Sequence, residues 1–362
     1  MNKTVVVLGC LTLLLAAACD AGTRHPPAPA AAQTPLPATA APVPAAVTAS
    51  AAATRPSASA AVAQAAPAPA TPAPAVSPAA SPQARTWWHP SDTGANHGPE
   101  FQWELSHPLK TKNAADMGTG RLNAAGRVAS HPLLYDIDGI ENPASTVKAL
   151  HRLGAHVICY IEVGSAGNYY PAADEGVRTS YYARLKAAGD LGRKMSGYPE
   201  YYLNINKAST VSIIESMIRK QCAAKGFDGV EPDIDDSYTD STGYKITEVQ
   251  NEKYDQKLGA YAHSLGLAWG QKNGDNDRAF SSALQPSTDF LLTEECNFYQ
   301  SCGIVARPYV RARKLVLDAE YTDDWGANVA KDLGKFCAAD TSGSIDGTLF
   351  SSSLAGPRNP CR

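Results

Sequence analysis

A (β/α)8 TIM barrel preceded by a disordered Ala/Pro-rich linker is the fold class this α/β sequence predicts. Three observations lead there. Residues 86–362 alternate short apolar runs with amphipathic stretches, and such an alternation argues for a parallel sheet. Eight strand candidates in a segment of this length match an eight-unit barrel. No Gly-rich phosphate loop follows the first candidate, as an open doubly wound nucleotide-binding sheet would require.

The chain begins with an address label. Residues 1–19 read MNKTVVVLGCLTLLLAAAC: a cation at Lys3, an apolar run from Val5 to Leu15, then Ala16, Ala17 and Ala18. This is the pattern of a secretory signal, and the apolar run is short for a membrane span. The ending Ala-Ala-Ala-Cys resembles a bacterial lipoprotein signal, with Cys19 acylated as the new N-terminus; Ala16 stands where Leu is usual. The expectation is an exported protein, lipid-anchored at the bacterial cell envelope through Cys19 or secreted. Residues 20–85 form the linker. From 21 to 85 they hold 14 of the 26 prolines, with no acidic residue and no aromatic. Such a stretch cannot bury enough apolar surface to offset its chain entropy, and alternating Ala-Pro suits a semi-rigid tether.

Residues 86–362 are then the folded domain, long enough for a substantial core. Four of the 32 basic residues (Lys3, Arg24, Arg55, Arg85) and one of the 35 acidic (Asp20) precede it, which leaves it a net charge of −6. That argues against a nucleic-acid partner, which would favour a basic face, and suits a neutral or cationic substrate. Six cysteines lie in the domain, and an even number in an exported chain suggests disulfides. Cys296 and Cys302 flank a loop, and Cys337 and Cys361 could pin the C-terminal tail. Cys159 sits inside an apolar strand, where a buried free thiol competes with a disulfide.

In chain order the predicted strands are Phe101–Leu105, Leu133–Ile137, Val157–Val163, Tyr202–Ile205, Phe227–Asp233, Leu267–Lys272, Phe290–Glu294 and Lys314–Glu320. Helices are predicted over Thr146–Leu153, Ser209–Lys225 and Thr247–Leu265. The second carries Val211, Ile214, Met217 and Ile218 at helical spacing behind a Ser209 N-cap, and the third aligns Tyr254, Leu258 and Tyr261. Gly154, Gly226 and Gly266 stand where helix C-caps are wanted, just before strands.

In such a barrel the C-terminal strand ends face the active site, and here they are acidic. Asp136 and Asp138, Glu231 and Asp233, and Asp318 and Glu320 are each two apart, which puts both members on one face of a strand. Glu162 and Glu294 end two further strands. A bowl of carboxylates with aromatic walls suits carbohydrate, because glycosidic cleavage needs two carboxyl groups flanking the bond. Trp87, Trp88, Trp103, Tyr160, Tyr169, Tyr202 and Tyr299 are candidate stacking platforms or core. A metal site competes: Asp233, Asp235 and Asp236, or the Asp275-Asn276-Asp277 run, could hold a hard cation, although no calcium loop is complete. HExxH, CxxC and GxSxG patterns are missing, which leaves zinc and serine-hydrolase chemistry without support.

Six strings occur in order: Cys159-Tyr-Ile-Glu162, Tyr202-Leu-Asn-Ile205, Gly226-Phe-Asp-Gly-Val-Glu-Pro-Asp233, Thr242-Gly-Tyr-Lys-Ile-Thr247, Gly270-Gln-Lys-Asn273 and Glu294-Glu-Cys-Asn-Phe-Tyr299. Together, from about Trp103 to Tyr321, they resemble the glycoside hydrolase 114 family, the endo-α-1,4-polygalactosaminidases. The resemblance implies a barrel that cuts α-1,4-linked galactosamine polymers internally, without a cofactor. It implies that Asp233 and Glu294 are the catalytic pair. In the Glu294-Glu295 doublet the first is preferred, since Glu294 shares a face with Leu292 and Glu295 points the other way. Asp136, Asp138, Tyr160, Glu162, Asn204, Glu231, Lys272, Asn273, Glu295 and Glu320 are the expected substrate-binding residues. Asn204 stands where the family pattern has Asp, and Glu162–Gly167 departs from the usual third-strand step.

The expected mechanism is a retaining double displacement, with Asp233 as nucleophile and Glu294 as acid and base or the two roles exchanged, on a galactosamine-containing polysaccharide, by a monomer. Two alternatives belong to other classes: a tethered carbohydrate-binding protein with an inactive site, and a metal-dependent hydrolase.

Overall fold

The computed structural model describes residues 86–90, 100–129, 131–170, 180–274, 277–326, 328–354 and 358–362. The signal segment, Cys19, the linker, Asp275 and Asn276 lie outside them.

Eight parallel strands form the barrel: β1 (Phe101–Glu104), β2 (Leu134–Asp138), β3 (His156–Glu162), β4 (Gly229–Asp233), β5 (Ala268–Lys272), β6 (Phe290–Glu294), β7 (Leu315–Tyr321) and β8 (Asp346–Phe350). Each pairs with the next in this order, and β8 also takes a short antiparallel partner, Asn359–Pro360. At the seam, Phe350 of β8 packs edge-on against Phe101 and Trp103 of β1, with ring centroids 5.4 and 6.3 Å apart. Both faces of these strands are buried, as a parallel sheet wrapped by helices requires.

One face fills the barrel. Phe101, Trp103, Leu134, Ile158, Ala268, Phe290, Leu292, Leu315, Leu317, Ala319 and Phe350 form a single interior cluster. Gly270 is small for a reason: a Cβ there would lie 2.5 Å from the Phe290 ring. The other face packs on helices. The helix Glu248–Leu265 opens with a reciprocal capping box between Thr247 and Gln250 and closes on Gly266 at φ 86°. That is the geometry of a strong start signal and a left-handed stop.

The sequence-based reading holds for seven strands and fails for one. Tyr202–Ile205 is not a barrel strand. Glu200–Leu203 instead pairs antiparallel with Ser165–Gly167 and Leu191–Lys194 in a small sheet inserted between β3 and β4. The true eighth strand, Asp-Gly-Thr-Leu-Phe, carries too few apolar residues to stand out. Asp233 and Glu294 therefore end the fourth and sixth barrel strands. Ser209 is no N-cap: the helix is Ala208–Met217, followed by a wide π turn, Ile218–Cys222, and a 3-10 turn. Cys159 is no free thiol. It is bonded to Cys222 at the end of that wide turn, and Cys296–Cys302 and Cys337–Cys361 complete the disulfides.

Candidate active site

Three neighbouring strand ends converge on one lysine. Lys272, the last residue of β5, is 1% exposed. Its Nζ lies 2.9 Å from Glu231 Oε1, 3.1 Å from Asp233 Oδ1 and 3.3 Å from Glu294 Oε2. Beneath it is the Trp103 ring, 4.8 Å to the centroid, with Tyr160 at 5.9 Å. Burial works against the ammonium, but the three carboxylates outweigh it and hold the Lys272 pKa well above the usual lysine range. The lysine is thus a fixed cation, and ion–ion hydrogen bonds of this kind are short and strong.

Asp233 and Glu294 each have their own supports. Tyr160 OH donates to Asp233 Oδ2 at 2.7 Å. Asn273 Nδ2 donates to Glu294 Oε2 at 3.1 Å, and the Glu294 N–H returns a bond to Asn273 Oδ1 at 2.8 Å. Tyr321 OH, at the end of β7, donates to Glu294 Oε1. The residues that follow these strand ends, Ile234, Asn273 and Glu295, all have left-handed backbone, at φ 59°, 49° and 54°. For a β-branched residue such as Ile234 that is a strained geometry, of the kind that clusters where function over-determines the chain. The turns swing the chain away sharply, so that the last side chain of each strand crowns the bowl.

A second acidic group adjoins Asp233. Glu162 faces Asp233 in the β3–β4 register, and Ser165 Oγ donates to Glu200 Oε2 at 2.7 Å. Burial first, then the charge of Glu200, pushes Glu162 well above the usual carboxylate range. Burial pushes Glu200 up to about 7, against the Ser165 hydrogen bond and with help from Asp233.

Of the residues picked out in the sequence, Tyr160, Glu162, Glu231, Asp233, Lys272, Asn273 and Glu294 come together here. Asp136 lies deeper, fully buried beside Glu231. Asp138 is saturated by the amides of Ile140 and Glu141 and by Tyr170 OH. Four belong elsewhere. Asn204 accepts from the Asn206 amide at 3.3 Å in the turn before the Ala208–Met217 helix. Glu320 is on the outer face of β7, because Leu317, Ala319 and Tyr321 take the inner one. There it accepts from the Asn297 amide and the Trp325 indole. Asp318 shares that face and accepts from Asn297 Nδ2. Glu295 is turned toward Asp324, and burial together with that neighbour pushes its carboxyl up to about 9. Asp235 and Asp236, weighed above as cation ligands with Asp233, each have a separate partner, the amides of Lys272 and Gly274.

Sequence reasoning missed Tyr321, Glu200 and Tyr198. The last feels the charges of both Glu294 and Asp233. Tyr321 was within reach of the alternation rule applied to Ala319. Glu200 and Tyr198 lie in the inserted sheet region and gave no motif. Three proposed platforms are not sugar walls either: Trp103 is buried under Lys272, and Trp87 and Trp88 stack on His263 and His156 beside the N-terminal ends of the strands.

Two carboxyl groups brought together at the mouth of a (β/α)8 barrel are the arrangement that glycosidic cleavage uses, and the class this fold and site point to is glycoside hydrolase. The sequence profile of glycoside-hydrolase family GH114 matches residues 77–362. The chain belongs to that family. The crystal structure of Aspergillus fumigatus Ega3 in complex with galactosamine shares the fold at 24% identity and a TM-score of 0.62, over 76% of this chain and 98% of its own. The glycoside hydrolase domain of PelA from Pseudomonas aeruginosa aligns at 13% identity with a TM-score of 0.47, over 72% of this chain and 98% of that one. No curated protein matches the chain.

Proposed function

We propose that this chain is an exported, endo-acting hydrolase of α-1,4-linked galactosamine polymers and works by double displacement. The observation that carries the reading is the juxtaposition of Asp233 and Glu294. Lys272 Nζ touches one oxygen of each, at 3.1 and 3.3 Å, so the two carboxyl groups meet across one cation; retaining enzymes hold the carboxyls ~5–5.5 Å apart and inverting ones ~6.5–9.5 Å, and the configuration of the first product decides between the two. Asp233 attacks the anomeric carbon and forms the glycosyl ester as the glycosidic C–O bond breaks. Glu294 gives its proton to the departing oxygen. Glu294 then takes a proton from water, which attacks the same carbon and releases Asp233. Asn273 and Tyr321 fix the acid in place, and Lys272 steadies the Asp233 carboxylate.

Charge supports the substrate. A deacetylated galactosamine polymer is cationic near neutral pH, and an acid-lined bowl on a domain of net charge −6 attracts it. Ega3, with the same fold, was crystallised with galactosamine. Acylation of Cys19 would leave the barrel on a tether at the cell envelope, and cleavage without acylation would secrete it.

Asp233→Asn and Glu294→Gln test the reading. Each should abolish chain shortening of deacetylated galactosamine oligomers, followed by mass, in a protein that stays folded. Retained activity in either removes that residue from the mechanism. NMR of the first product should show the anomeric configuration of the substrate, and the opposite configuration would mean inversion. Binding with no shortening by the unaltered chain would favour a binding protein instead.

A further inference from the structure

Below the reacting pair lies a carboxyl that the mechanism does not use. Asp136 points inward from β2, in register with Trp103 on β1 and Ile158 on β3, and is fully buried. Among the described residues none offers an N–H or O–H to either of its oxygens. Beside it lies another carboxyl, Glu231, near enough to share a proton with it. Glu231 is differently placed. It accepts from the Trp103 indole at 3.1 Å on Oε2 and lies 2.9 Å from the Lys272 ammonium on Oε1.

Two carboxylates cannot share a hydrogen bond, since ionised carboxylates only accept. One member must hold a proton. Glu231 has an indole and an ammonium to support its charge and Asp136 has neither, so the proton belongs on Asp136. Burial, then the charge of Glu231, pushes the Asp136 carboxyl well above the usual range, while Lys272 pulls the other way. Asp233 is the further charge it feels.

We infer that Asp136 is a positioning residue that works as a neutral acid. It donates its proton to Glu231 and so fixes Glu231, and through it the Lys272 ammonium, between Asp233 and Glu294. The site then holds one cation against Glu231 and the reacting pair, with Asp136 adding a donor and no charge. Replacing its carboxyl with a bare methyl would leave Glu231 free to rotate and Lys272 free to drift toward one member of the pair. This rests on the role proposed above for that pair.

An amide distinguishes this role from others. Asparagine keeps the donor, shape and neutrality of a protonated acid. In the full chain, Asp136→Asn should keep kcat within about threefold of the unaltered enzyme, with the same pH profile, while Asp136→Ala should lower kcat roughly 10–100-fold with little change in KM. An infrared difference spectrum at neutral pH supplies a readout that needs no substrate. The carbonyl band of a protonated acid should be lost in Asp136→Asn and kept in Asp233→Asn. Equal damage from Asn and Ala, a shifted pH profile in Asp136→Asn, or no protonated-acid band attributable to Asp136 would overturn the inference. If the unaltered chain cleaves no galactosamine polymer, the functional reading fails while the infrared result still decides the protonation of Asp136.

Discussion

The two ends of this barrel treat acidic residues in opposite ways. At the floor, Asp228 and Asp289 precede β4 and β6, and each is surrounded by donors. Asp228 accepts from the Val157 amide and from His151, both at 2.8 Å. Asp289 accepts from the Trp269 amide at 2.9 Å, His263 at 2.7 Å and the Trp87 indole at 3.2 Å. Burial alone would raise both carboxyls, but these bonds outweigh it and hold them below the usual range. Residues 86–90 complete this floor, where Trp87 lies flat on His263 and Trp88 on His156, at centroid distances of 4.1 and 4.3 Å. At the rim, carboxyls crowd against other carboxyls and several are pushed up. Floor acids are satisfied and serve stability. Rim acids are held in conflict, which is how a site keeps groups ready to exchange protons.

The sharpest way to break the contrast is at Lys272. Lys272→Met removes the charge that Glu231, Asp233 and Glu294 share. The expected loss in kcat is on the order of 10²–10³-fold, the usual cost of deleting one preorganised electrostatic partner of a reacting group. Reducing-end assays on galactosamine oligomers measure it, and a change under tenfold would mean that the lysine is structural only. At the floor the expectation is reversed. Asp289→Ala strips an acceptor from an amide, a histidine and an indole. It should cost about 2–3 kcal/mol of stability and leave kcat and KM unchanged in protein that remains folded. Chemical denaturation and kinetics on the same preparation check both halves.

The same two ends show how far the sequence could be read. Seven strands were legible because each is a short apolar run, three of them just behind a helix-stopping glycine at Gly154, Gly226 or Gly266. The parity rule placed Glu231 and Asp233 correctly, and Asp136 with Asp138. At Asp318 and Glu320 it set both on one face, but that face is the outer one. Both faces of β7 are buried, so alternation does not reveal which one looks into the barrel. Leu317 and Ala319 fill the interior, and the acids pair outside it with Asn297. That same parity sends Tyr321 inward onto Glu294. Asp136 was legible as an inward acid but not as a buried one, because depth along a strand depends on the stagger between neighbours. The floor was not legible at all: Trp87 and Trp88 read as sugar platforms, and only their stacking on His263 and His156 shows otherwise.

The smallest expected effect concerns pH. Glu200 at the rim, Asp340 on the helix before β8 and Asp346 at the start of β8 are pushed up to about 7, in each case chiefly by burial. A carboxyl whose pKa is raised on folding binds its proton more tightly in the native state. It therefore contributes stability that is complete below the unfolded value near 4 and is lost as pH rises through about 7. The floor acids have the opposite sign. Asp228 and Asp289 contribute stability that is present above the unfolded value and is lost only as pH falls through their lowered native values. Between pH 5 and 8 these three raised carboxyls thus set the slope, with Glu200 the rim's share of it, and the chain should grow less stable as pH rises. Glu200→Gln should flatten that slope by on the order of 1–2 kcal/mol across the window, whereas Asp289→Asn should lower the whole curve without changing its slope there. Urea midpoints at four or five pH values suffice. A Glu200→Gln curve that runs parallel to the parent would show that the carboxyl is already ionised at pH 5, and the contrast between rim and floor would lose its thermodynamic basis.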